Sequence, residues 1–256
     1  MTLSSIQKEK TPEPFRCLIH GTEGVGKSTF AALAPKPIFI PTEDGLGQIT
    51  VDHFPLCQDF ASVTLALQSL IVEKHDYMTV VIDSVDWLER LAAKQVVDGQ
   101  SRYKTLADFD YGKGYAQLIP LFEDVIGKLN TLRAKRKMNV VLIAHTKLEK
   151  VEDPGGASYD QYSPRLDKRI NGLVKEWVDL IGFATQNIVK IEHDEGFNKT
   201  RTTVNAVKSE GTDRKLVLNP TPAIVAKTRY PLPGEMPLDG KKFFVTLYNL
   251  IHRSKA

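Results

Sequence analysis

One octapeptide constrains this chain more than any other feature. Gly21-Thr22-Glu23-Gly24-Val25-Gly26-Lys27-Ser28 fits the pattern GxxxxGK[ST] and lies between a short apolar run, residues 15–20 (FRCLIH), and a segment, residues 27–33, able to begin a helix. Strand, glycine-rich turn and helix in that order aim backbone N–H groups and the positive end of a helix at one point, which suits the oxygens of a phosphate chain. The loop therefore predicts ATP held by Gly21, Thr22, Glu23, Gly24, Val25, Gly26, Lys27, Ser28 and Thr29. Lys27 is expected on the β- and γ-phosphates, the Ser28 hydroxyl on Mg2+, and Thr29 in packing or capping where the loop enters the helix.

The rest of the chain alternates in the way such a loop requires. Residues 37–40 (PIFI) read as a buried strand stopped by the turn-rich PTEDG at 41–45, and residues 60–73 carry Val63, Leu65, Leu67, Leu70 and Ile71 at helical spacing. Residues 78–82 form a β-branched run ending in Asp83. Within 114–137, Leu118, Phe122, Val125, Leu129 and Leu132 fall three and four apart on one helical face, with Pro120 set to kink or start it and the basic residues 133–137 placed to close it against its dipole. NVVLIA at 139–144 is a fourth apolar strand. Near-continuous apolar strands alternating with helices predict an α/β fold, a mostly parallel sheet covered on both faces.

After this core the character changes. Residues 146–169 are polar and carry Gly155, Gly156 and Pro164, so they read as a long loop. Residues 177–185, 188–192, 201–208 and 215–218 look like consecutive strands, with turn signals at 194–196 and 209–211, adding antiparallel strands from the C-terminal third; 243–251 is a final helix. The expected division is a polar arm at 1–14 and one domain at 15–256, made of a core (15–185) and a β-rich extension (186–256).

Composition sets the limits. With 42% apolar residues, 256 residues suffice for one sizeable core. The net charge of +3 is too small for a whole-molecule field, so any nucleic-acid surface must come from local clusters. Two cysteines, Cys17 and Cys57, imply no disulfide framework, and no apolar run approaches the length of a membrane span, so a cytoplasmic protein without a membrane partner is expected.

Asp83 should emerge at the carboxyl edge of a central strand, where it fits the acid that holds Mg2+ together with Ser28; a helix N-cap is the plainer role, which Ser84 or Asp86 could fill instead. Hydrolysis also needs a carboxylate to orient water. AAA+ machines place that acid directly after the strand-end Asp, where this chain has Ser84.

The arrangement instead resembles RecA-like P-loop NTPases, and YGKGYAQL (111–118), the IAHTK strand end and AKTRYPLP near the end resemble the phage-encoded AAA-domain ATPases with a RecA/RadA-like core, short recombinases that act beside a single-strand-binding protein in annealing. The resemblance runs from residue 15 to the AKTRYPLP segment, and the phosphate loop is its one individually specific motif. It implies that Glu43, just after the second strand, is the catalytic base, with Asp44 and Asp86 as fallbacks. It also implies that His145 senses the γ-phosphate where the family commonly has Gln. Lys227 and Arg229, two apart on an extended segment, would reach the nucleotide of a neighbouring copy in a homo-oligomer. Single-stranded DNA would follow the loop after His145, with Lys147, Lys150, Arg165, Lys168 and Arg169 on phosphates and Tyr159 and Tyr162 on bases; Arg102, Tyr103 and Lys104 form a second candidate surface. Against an ATPase stand two other readings: a P-loop kinase with Arg165 and Arg169 in a lid, and a nucleotide switch or replication accessory factor without useful turnover.

Overall fold

The computed structural model of the protein describes residues 12–153, 155–194, 200–206 and 213–252, with 188–194 and 200–206 in their backbone alone. Residues 1–11 of the expected arm, 195–196 of one expected turn and 209–211 of the other lie outside them. The chain runs β1 (Arg16–Gly21), α1 (Lys27–Ala31), β2 (Pro37–Pro41), β3 (Asp52–His53), α2 (Phe60–Val72), β4 (Thr79–Asp83) and α3 (Val85–Asp98). It continues through α4 (Lys113–Ala116), α5 (Leu118–Thr131), β5 (Asn139–Val151), β6 (Tyr159–Pro164), α6 (Lys168–Trp177) and β7 (Leu180–Gln186). It closes with β8 (Ile188–Asp194), β9 (Thr200–Ala206), β10 (Arg214–Val217), β11 (Lys227–Thr228), β12 (Glu235–Pro237) and α7 (Gly240–His252).

The main sheet has the order β12-β10-β7-β1-β5-β4-β2-β3, and its central strands are parallel. One strand, β5, is inserted between the strand before the phosphate loop and the strand ending in Asp83, the RecA-like arrangement. Side chains alternate across each strand and separate two cores. Leu18, Ile38, Ile40, Val80, Ile82, Val140 and Leu142 face α2, α3, α5 and α6, whereas Cys17, Ile19, Phe39, Val81, Val141 and Ile143 face Phe30 of α1 and Phe243, Phe244 and Leu247 of α7. That two-sided burial is why these strands are apolar without interruption.

Local signals set the helix ends. The Asp59 carboxylate accepts the Ser62 N–H at 2.7 Å to start α2, and Pro120 falls in the first turn of α5, where its missing N–H costs nothing. The helix runs on from α5 through Leu132–Arg136, so the basic stretch stands in its last turn as expected, and Arg136 also donates to the carbonyls of Ile71 (3.0 Å) and Glu73 (2.6 Å) at the end of α2.

Three expectations are corrected. Residues 146–169 are not a long loop: β5 runs on to Val151 and pairs antiparallel with β6, from Thr146↔Pro164 to Val151↔Tyr159, and α6 follows. Trp177 belongs to α6, so the strand begins at Leu180, and β7 lies parallel to β1 within the core. Nor do the later strands extend the sheet in series. Among the described residues β8 and β9 pair only with each other, while β10, β11 and β12 supply the antiparallel part next to β7.

Register then builds the site. Gly21 pairs with His145 and Ala184, Pro41 with Asp83, and Asp83 with Ile143. The ends of β1, β2, β4 and the buried half of β5 therefore share one edge of the sheet.

Candidate active site

The loop after β1 is tight for steric reasons. A Cβ on Gly21 would stand 2.4 Å from the Ala184 carbonyl oxygen, and Gly26 has φ +99°, a conformation that L side chains rarely adopt. Lys27, 6% exposed, opens α1 and donates its Nζ to the carbonyls of Gly21 (3.0 Å) and Thr22 (2.8 Å). Burial lowers its pKa, and Asp83, Glu23 and Glu43 pull the other way.

Ser28 Oγ donates to Asp83 Oδ2 at 2.6 Å. Asp83 is buried, its carboxyl is raised chiefly by desolvation, and its Oδ1 has no hydrogen-bond partner among the described residues. A buried carboxylate oxygen left over beside a serine hydroxyl is the hard-oxygen pair that Mg2+ takes when phosphates and water complete its shell. The two side chains thus fit the metal.

Glu43 is delivered to the same place by Thr42, which is buried and donates through its N–H to the Asp83 carbonyl (2.8 Å) and through Oγ1 to the Ser84 carbonyl (2.6 Å). Lys27, Ser28, Asp83, Glu43 and His145 line one cavity of about 310 Å³. Burial raises the Glu43 carboxyl above its ordinary range; His145 and Lys27 oppose this, and Asp83 and Asp86 reinforce it. A carboxylate made more basic in this way is suited to taking a proton from water.

His145, at the buried half of β5, has Nε2 at 3.9 Å from Glu43 Oε1 and Nδ1 at 3.0 Å from Asp86 Oδ2. A carboxylate acceptor assigns the Nδ1 proton, so Nε2 donates toward the cavity only when the ring carries both protons. Asp86, a fallback base, is fully engaged. It accepts the His145 N–H (3.0 Å), the His145 ring, and Nε (3.2 Å) and Nη2 (2.8 Å) of Arg165. Burial pushes the Asp86 carboxyl up, but the hydrogen bonds from His145 and Arg165 outweigh it and hold it well below the usual carboxylate range. Asp44, the other fallback, is exposed.

The residues expected on DNA separate into two groups. Arg165 turns inward to Asp86 and lies 3.5 Å from Glu23, Lys147 Nζ donates to the Leu166 carbonyl, and Tyr162 stacks on Phe183 at 5.1 Å between centroids. Lys150 and Tyr159 sit on the outer part of the β5–β6 hairpin, and Lys168 and Arg169 are exposed at the start of α6, Arg169 within 6.0 Å of the Tyr115 ring. In the second candidate surface, Tyr103 stacks on Phe109 at 4.0 Å and Arg102 lies over its ring.

Lys227 and Arg229 do share a side, but at the other edge of the sheet: β11 pairs with the first residues of β7. Lys227 Nζ donates to the carbonyls of Lys175 (2.7 Å) and Val178 (2.8 Å) at the end of α6, and Arg229 holds Asp179 at 2.9 Å. Within one chain they do not meet the phosphate loop.

Sequence reasoning missed Arg214, which lines the cavity from β10. No local signal marks it, because only the pairing of β10 with β7 brings it there. The lid arginine of a kinase finds no support in Arg165, which Asp86 already holds.

A parallel sheet with this inserted strand, and a loop with lysine, serine and a strand-end acid at its carboxyl edge, together define a P-loop NTPase fold. The chain belongs to the AAA domain family, whose sequence profile matches residues 13–230. Over 173 residues it is 27% identical to the SPbeta prophage-derived uncharacterized protein YorG of Bacillus subtilis (strain 168), a match covering 66% of this chain and 50% of that protein. The chain thus spans about half the length of this relative. Among solved structures it is similar to the RadB recombinase (TM-score 0.48, 12% identity, 90% of each chain). It is also similar to the flagellar accessory protein FlaH from Methanocaldococcus jannaschii (TM-score 0.38, 9% identity, 85% of this chain and 91% of that one). Among the described residues no helix is long and apolar enough to cross a membrane.

Proposed function

We propose that the protein binds ATP with Mg2+ and hydrolyses it, and that it does so on single-stranded DNA during phage recombination or annealing. The observation that carries the first part is the convergence of Lys27, the Ser28–Asp83 pair and Glu43 on one cavity. Lys27 would exchange its two loop carbonyls for phosphate oxygens, which are charged and therefore stronger acceptors. The loop amides fix the phosphate chain. Ser28 and Asp83 would hold Mg2+, which supplies positive charge to the phosphates. Glu43 then orients a water and takes its proton as the oxygen bonds to the terminal phosphorus and the bridging P–O bond breaks, giving ADP and phosphate.

The DNA part rests on the outer hairpin and the start of α6, where Lys150, Tyr159, Lys168 and Arg169 combine cations with an aromatic ring, and on the prophage setting of the relative. Head-to-tail assembly, with Lys227 and Arg229 of one copy serving the next copy's nucleotide, fits their distance from the phosphate loop of their own chain, and a single-strand-binding protein is the natural companion on the same DNA. The reading also keeps the protein in the cytoplasm of the host cell.

Glu43→Gln tests the chemistry. Hydrolysis should fall by about 10²-fold or more, the usual size of a general-base contribution, with ATP binding retained. Turnover by the variant equal to wild type removes Glu43 from the mechanism. An ATPase rate indifferent to single-stranded DNA at low salt removes the DNA part.

A further inference from the structure

We propose that Arg214 is a nucleotide ligand in cis: a guanidinium, delivered by the C-terminal β extension, that grips the phosphates of the bound nucleotide beside Val25 and Gly26. The inference deepens the ATP reading and rests on it.

Four observations carry it. Arg214 lines the same cavity as Lys27, Ser28 and Glu43. Its Nη1 lies against the phosphate loop, donating to the Val25 carbonyl at 3.2 Å and standing 2.9 Å from where a Cβ on Gly26 would be. Its Nε is buried and has no hydrogen-bond partner among the described residues; Asp213 Oδ2, at 3.8 Å, is an ion-pair partner but too far to accept a hydrogen bond. A buried donor left unmade is costly, and a guanidinium presents five donors in a rigid fork matched to phosphate oxygens. Finally, the backbone is pinned on both sides: Arg214 pairs with Gln186 of β7, its carbonyl accepts the Leu238 N–H at 3.1 Å, and the Asp213 carbonyl accepts the Asn187 N–H at 2.7 Å. The side chain therefore starts from a fixed base, which lowers the ordering cost of binding.

Charge explains why a second cation is needed. The cavity wall carries Glu23, Glu43 and Asp83 against Lys27, and the other arginine at this end, Arg165, is neutralised by Asp86. A polyphosphate adds further negative charge, and Arg214, its ion pair with Asp213 no closer than 3.8 Å, is the described cavity residue that can join Lys27 in meeting it.

The test is titration of the full chain with ATP and with ADP in Mg2+ for wild type, Arg214→Ala, Arg214→Lys and Lys27→Ala, with melting temperatures measured with and without nucleotide. The expected result is a loss of ten-fold or more in affinity for both nucleotides in Arg214→Ala and a smaller loss in Arg214→Lys. The nucleotide-free melting temperature should stay at the wild-type value, while the shift produced by nucleotide shrinks. Wild-type affinity in Arg214→Ala overturns the assignment. So does a loss of affinity matched by a fall in the nucleotide-free melting temperature, since that marks a strut for the loop. Should Arg214→Ala not fold, wild-type affinity in Arg214→Lys overturns it equally. Wild-type protein that binds no ATP, with Lys27→Ala indistinguishable from it, overturns the ATP reading and this assignment together.

Discussion

Replacing Asp86 by Asn should destabilise the protein by about 3 kcal/mol, and the structure says why. Its side chain is 2% exposed and accepts from one backbone N–H, one imidazole and two guanidinium nitrogens. Asparagine keeps one acceptor oxygen but turns an NH2 group toward donors and removes the charge that Arg165 and His145 were placed around. Breaking a buried pair from one side costs roughly 3–5 kcal/mol. Arg165 is 35% exposed and can turn to water, which sets the expectation at the low end. For a chain of this size, roughly 2–4 °C per kcal/mol gives a fall in melting temperature of about 6–12 °C. The sign with pH is also fixed. A carboxyl held below its unfolded value stabilises fully above that value and loses its contribution as pH falls through the folded one. The gap between wild type and variant should therefore narrow as pH falls below the ordinary carboxylate range. Urea unfolding from neutral pH into acid measures it. A midpoint equal to wild type near neutral pH, or a gap that does not narrow in acid, refutes the reasoning.

Two further outcomes follow from burial and packing. Glu89 accepts the Asp167 N–H at 2.8 Å, and burial raises its carboxyl to about 7, so the folded state holds that proton more tightly than the unfolded chain; stability is full below the unfolded value and is lost as pH rises through about 7. Glu89→Gln should match wild type near pH 4 and exceed it at pH 8 by at most about 3 kcal/mol, as thermal melts across pH would read. A Cβ on Gly240 would meet the Phe30 carbonyl at 2.3 Å, so Gly240→Ala must push α7 off α1; denaturation should show a loss of about 1–3 kcal/mol, and titration a weaker grip on ATP because α1 begins at Lys27.

The parts of the fold legible from residues alone were those with local causes. Strand, glycine turn and helix around Lys27 form one continuous segment, and Glu43 follows the very next strand, so parallel register carries both to one edge. His145 was placed by the same logic, at the end of an apolar run. Residues 146–169 misled because both faces of the β5–β6 hairpin are largely polar, leaving no apolar alternation to betray a strand, and because Gly155 and Gly156 mark its turn as readily as they mark a loop. Arg165 reads as a DNA contact for its charge, but nothing in spacing shows that it donates to Asp86, 79 residues earlier. Arg214 is 189 residues from Val25, and a long-range pairing of that kind leaves no trace in spacing.

The 13-residue strand β5 does two jobs along one backbone. Its first half is buried between β1 and β4, and its second half leaves the sheet as the outer hairpin. A paired strand is stiff, so the hairpin would turn as one piece about the point where His145 meets Asp86. Six residues beyond that point extend about 20 Å, and a tilt of roughly 6° there would carry the tip about 2 Å. A small rearrangement around the cavity would thereby be magnified at the far end of the same polypeptide.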